Sequence, residues 1–189
     1  MTTATPAEDD LTDDEVAVEA ATAEAPEEAA QQAAMQHLAG LLQTGDSGAN
    51  WFFWIAGLSL VNSAIIHFGG NVQFVVGLGV TLFVDAIATE IIRDQPQTQM
   101  IATSVAVGFS VFCSLIACLF GWLSRKRIIP LFALGMAIYF LDGLVFLLVQ
   151  DWLSLAFHGY ALFCMWSGLT AYRQFNQIES ELAVAAEPA

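Results

Sequence analysis

From position 51 onward the chain is a succession of apolar runs, each about twenty residues long, broken only by short polar punctuation. Twenty residues at ~1.5 Å rise per residue match the ~30 Å hydrocarbon thickness of a bilayer. The runs are continuously apolar, where a membrane barrel would alternate. They predict an all-α, multi-pass transmembrane bundle of about five spans, at 51–68, 72–92, 100–123, 128–149 and 152–172. Its first partner is therefore the lipid bilayer.

Composition agrees. Of 189 residues, 57% are hydrophobic and only five are Lys or Arg, too few charges for a soluble domain of this size. Eleven of the nineteen acids precede residue 51, so the net charge of −14 sits largely in the N-terminal segment. With no basic patch to neutralise phosphates, nucleic acid is excluded as a partner. Cys113, Cys118 and Cys164 all fall inside expected spans, where they read as small packing residues and not as a disulfide framework.

Residues 1–30, rich in Ala, Thr, Glu, Asp and Pro, are expected to be a disordered acidic tail with no signal-peptide pattern. Residues 31–50 read as a short amphipathic helix followed by a Thr44–Gly48 linker, and 173–189 as a cytoplasmic tail. Four of the five basic residues fall in Arg125–Arg127 and at Arg173, on one side of a five-span layout; Arg93 falls on the other. The positive-inside rule then places the C-terminus in the cytoplasm and the N-terminus outside. A single true span within 51–92 would switch the N-terminal side.

The ionisable residues inside the spans carry what functional signal there is. Only Gln150 and Asp151 separate the last two runs, so these form an antiparallel hairpin. Asp142 lies eight residues before Gln150 and His158 seven after Asp151, which brings the two to nearly one depth. Asp85, in the second run, falls at a similar level, all three lying ~4–6 Å from the expected midplane. A charge at such depth costs at least ~2.5–3.5 kcal/mol, so each group should face inward and find a partner. Stripes of small residues run through the same faces: Gly77, Thr81, Asp85 and Ala88; Gly135, Tyr139 and Asp142; Ser154, His158, Ala161 and Gly168. In the third run Ala102, Ala106, Ser110, Ser114 and Cys118 recur every four residues.

Two readings of the Asp85, Asp142 and His158 layer stand open. In one the groups hydrogen-bond each other and hold the bundle together. In the other they form a proton relay or cation site, with His67, Asn62 and Tyr139 as extensions. No catalytic, metal or cofactor motif is present: there is no His-Glu-x-x-His and no phosphate loop. The Phe-Val-Asp85 and Phe-Leu-Asp142 contexts differ from those of aspartyl intramembrane proteases. The expected function is accordingly a structural or accessory membrane bundle acting through a protein partner or a second copy, with a small proton- or cation-coupled transporter as the alternative.

The stretches WFFWIAGLSLVNSAIIHFGG (51–70), VVGLGVTLFVDAIA (75–88) and YFLDGLVFLLVQDWLSLAFHGYALF (139–163) resemble a family of small uncharacterised multi-pass bacterial membrane proteins. The resemblance implies a bacterial inner membrane location and supplies no activity or site residues.

Overall fold

A computed structural model describes residues 13–67 and 77–186, with side chains from Glu28 to Ile66 and from Gly77 onward. Among the described residues there is no strand. Five helices follow in order: α1 (Asp13–His67), α2 (Gly79–Asp94), α3 (Gln99–Arg125), α4 (Ile129–Leu148) and α5 (Trp152–Ala185), with a 3-10 turn at Pro96–Thr98 before α3. The chain divides into two units, Met1–Gly40 and Leu41–Ala189.

In the first unit the described residues are helical from Asp13, where a disordered tail is expected through residue 30. Alanine and glutamate, the residues that made this stretch look unable to fold, are also strong helix formers. Its side chains from Glu28 to His37 are exposed.

The second unit takes α1 from Leu41 and all of α2 to α5. Glu28–Ile66, Pro96–Arg125 and Ile129–Leu148 are long and apolar enough to cross a membrane. The second unit is also built inside out. On α3 the side chains of Met100, Ile101, Val105, Phe112 and Leu115 are exposed, while Ala106, Ser110, Ser114, Ala117, Gly121 and Ser124 are buried. Bulky apolar groups outward and small or polar ones inward is the pattern of helices packing in lipid. The buried stripe follows the four-residue repeat only as far as Ser114. A strict spacing of four drifts off a 3.6-residue turn, so Ala117 and Gly121 replace Cys118 at the interface.

The Thr44–Gly48 stretch corrects another expectation. It is helical and packed, not a linker. Gly48 lies against Gly168 of α5 so closely that a Cβ on it would stand 2.6 Å from the Gly168 Cα. Gly45 likewise makes room for the Tyr172 ring, whose hydroxyl donates to Asp46 Oδ1 at 2.6 Å. Glycines that signal a loop in water are, between apolar helices, where backbones meet.

Neighbouring contacts give the directions. Ser114 Oγ donates to the Ala56 carbonyl and Arg125 to Asn50 Oδ1, so α3 runs antiparallel to α1. Leu78 bonds Ser59 and Asp85 bonds Ser63, so α2 runs in the same sense as α1. Of the expected 72–92 span, 72–76 lies outside the described residues, Gly77 and Leu78 are not helical, and α2 begins at Gly79. At 16 residues α2 is ~24 Å long, short of a full crossing. The Asp46–Tyr172 bond sets the place where α1 joins the bundle beside the place where α5 leaves it. Opposite faces for those two points, as five independent crossings require, are not what these contacts give.

Two turns close the helical hairpins. Arg127 and Gln150 both take positive φ, 59° and 56°. After α4 the Gln150 amide donates to Leu147 and the Asp151 amide to Phe146, the paired bonds of a Schellman ending. Arg127 is further held by Glu179 at 3.1 Å and by stacking over Phe175. Glu90 and Arg93, three residues apart on α2, form an exposed pair at 2.6 Å.

Candidate functional site: an acid at a buried helix start

Helix α2 begins inside the second unit, without a capping side chain of its own. The first amides of any helix lack partners within it, and in lipid no water is at hand to supply them. Here they are satisfied from other helices. The Leu78 amide donates to Ser59 Oγ of α1 at 2.7 Å. The Gly79 and Val80 amides donate to the two oxygens of Asp142 on α4, at 2.7 and 2.8 Å. The carboxylate thus caps α2 from 62 residues away, and the positive end of the helix dipole favours it there.

His158 completes the cluster. Its Nδ1 lies 3.0 Å from the Ser154 carbonyl, which can only accept, so Nδ1 carries a hydrogen. Its Nε2 lies 3.2 Å from Asp142 Oδ2, and a hydrogen bond there needs one proton between the two atoms. The imidazole is 1% exposed. It stacks on Tyr139 with centroids 4.4 Å apart and leans on Phe146 at 4.8 Å. Gly143 leaves the room: a Cβ there would approach the imidazole Cδ2 to 3.1 Å. Gly79 does the same beneath Phe146, where a Cβ would come within 2.8 Å of the ring.

Of the three residues expected to share a layer, the structure joins Asp142 and His158. Asp85, fully buried, accepts from Ser63 Oγ of α1 at 3.1 Å. It lies five to six residues along α2 from the amides that hold Asp142, a separation of ~8 Å. Tyr139 belongs to the pair through its stacking. Asn62 is buried beside Gly77, where a Cβ would stand 3.0 Å from its Nδ2. His67 ends α1, and its side chain lies outside the described residues. Among the described residues no three His, Cys, Asp or Glu side chains are grouped as a metal site.

Sequence reasoning missed the amides of Gly79 and Val80, the Ser59 hydroxyl and the Phe146 ring. The signal for the first was present: Gly77-Leu78-Gly79 interrupts an apolar run, and glycine pairs inside such runs mark broken membrane helices. Comparison of the chain with known protein families, with curated proteins and with solved structures finds no match.

Proposed function

We propose that the chain is an integral protein of a bacterial inner membrane, and that its bundle serves a structural or accessory role, acting through partners. In this reading five helices are embedded in the membrane and make four crossings. Helices α1 and α2, running in one sense, carry the chain over once; α3, α4 and α5 each cross once. The points where α1 joins and α5 leaves the bundle then share a face with Arg125, Lys126 and Arg127, and by the positive-inside rule that face is cytoplasmic.

One observation carries the role: both oxygens of Asp142 are engaged by α2 amides, and Oδ2 also meets His158 Nε2. A group so committed is a lock. It ties α2 to the α4–α5 hairpin and satisfies backbone that lipid would leave bare. The Asp142→Asn variant tests this. Its carboxamide keeps one acceptor but turns N–H groups toward N–H groups, so unfolding in detergent should become easier by about 1–3 kcal/mol. A variant equally stable, but with pH-driven flux into liposomes abolished, would replace the lock with the proton-coupled transporter.

A further inference from the structure

Helices α4 and α5 leave between them an open groove of about 530 Å³. Ala133, Ala137 and Gly159 form its exposed floor, and the exposed rings of Phe140, Phe163 and Trp166 form its walls. No charged side chain lines it. From Gly159 to Leu169 the groove follows α5 for ~15 Å, the depth of one leaflet of a ~30 Å hydrocarbon core.

Arg173 stands where that face ends. It comes seven residues after Trp166, two turns of helix, and therefore lies on the same face of α5. It is also 21 residues, ~32 Å, from Trp152 at the start of α5, which sets it at a membrane border. Helical side chains lean toward the N-terminus, and for Arg173 that direction is toward the groove. The other four bases are all occupied. Arg93 pairs with Glu90 and Arg127 with Glu179; Arg125 donates to Asn50, and Lys126 lies over the Trp122 ring. Arg173 is exposed and has no hydrogen bond, ion pair or ring contact among the described residues.

We infer that this groove holds one acyl chain of an anionic phospholipid whose phosphate sits on the Arg173 guanidinium, an inference that rests on the membrane reading above. Arginine presents a planar fork of N–H donors that matches phosphate oxygens. A zwitterionic headgroup brings its own cation to the phosphate, so net charge favours the anionic kind. An acyl chain without a phosphate would fill the groove and leave Arg173 unpaired. A second copy docked by the same face, on a two-fold axis along the membrane normal, would set two Arg173 guanidiniums at one depth and repel itself.

The test uses the full-length chain in phosphatidylcholine nanodiscs, into which brominated phosphatidylglycerol or brominated phosphatidylcholine is titrated while tryptophan quenching is followed. The share of Trp166 is isolated by comparison with Trp166→Phe. Half-quenching of that share should need about fivefold less of the anionic lipid, the preference that one arginine confers at a lipid surface. Arg173→Gln should erase the preference. Gly159→Leu, at a position with open space around it, should block the chain and erase it too. Lys126→Gln, an equal loss of charge at the same end of the bundle, should keep it. Equal requirements for the two lipids would overturn the inference, as would a preference that survives Arg173→Gln or Gly159→Leu. A preference that falls as much with Lys126→Gln would show diffuse surface charge and overturn it as well. Quenching of other tryptophans but not of Trp166 would show a groove covered by protein, with the same consequence. Quenching of none, even by phosphatidylcholine, would overturn the membrane reading and this inference with it.

Discussion

Asp142 and Asp85 are both buried acids of the second unit, and both look alike in sequence, one Asp following an aromatic and an aliphatic residue in an apolar run. They are held differently. Asp142 accepts from two backbone amides at a helix start and meets an imidazole. Asp85 sits in the middle of α2, where the backbone amides are already used, and draws on the side chain of Ser63. The difference teaches what a buried acid is for. At a helix terminus it answers a backbone demand that exists before the acid does; within a helix it must be supplied with partners for its own sake.

The comparison is broken or upheld most directly by truncating each acid. Asp142→Ala leaves two amides and His158 facing an apolar gap, a loss of about 3–5 kcal/mol as for other buried partners deprived of their charge. Asp85→Ala removes a group held by side chains, and a hydroxyl such as that of Ser63 can turn to its own helix, so the loss should be smaller than for Asp142→Ala, nearer ~1 kcal/mol. Reversible unfolding in mixed micelles measures both. Equal losses would mean that position in the helix is irrelevant and that burial alone sets the cost.

Much of this was legible beforehand, for reasons that lie in local pattern. The Asp142–His158 pairing follows from counting outward from a two-residue turn, because hairpin geometry fixes depth. The buried faces of α2, α4 and α5 follow from small residues spaced at helical intervals. Three things were hidden. Hydropathy stays high through 72–92, so it does not mark the start of α2 at Gly79, and only the Gly77 and Gly79 pair, which hydropathy does not weigh as a break, signals it. The partner of that start is remote in sequence. Gly45 and Gly48 carry the composition of a loop, and only the facing Tyr172 and Gly168 turn them into a packing surface.

That packing surface sharpens the comparison by separating the lock from general bundle stability. Gly48 and Gly168 lie ten residues along α5 from His158, a distance of ~15 Å. Gly48→Ala should cost about 1–3 kcal/mol, because the added methyl meets backbone that cannot rotate away. Gly57, on the same helix with open space around it, should gain up to ~1 kcal/mol from the same change through helix propensity alone. Neither variant should alter the nitrogen-15 pattern of the His158 ring, whereas Asp142→Asn should. If Gly48→Ala also shifted it, the pair would be reporting on looseness of the bundle and not on the helix start.

The smallest effect comes from a third acid with the same task in a wet setting. Asp151 caps α5: it accepts from the Ser154 amide at 3.2 Å and from the Ser154 hydroxyl. These hydrogen bonds, the hydroxyl's first and the amide's second, hold its carboxyl below the ordinary value near 3.8, against a weaker upward push from burial. A folded-state value below the unfolded one contributes stability that is present above the unfolded value and lost as pH falls through the folded one. Asp151→Ala should therefore cost about 1 kcal/mol at neutral pH, as other exposed caps do, and the cost should shrink on acidification below pH ~4. The ratio of this loss to that of Asp142→Ala is the informative quantity. Both acids satisfy amides at a helix start, but α5's start lies at an exposed turn where water can take the place of Asp151, while nothing can take the place of Asp142. A ratio near one would mean that water reaches the α2 start as freely as it reaches the turn, and the lock would lose its physical basis.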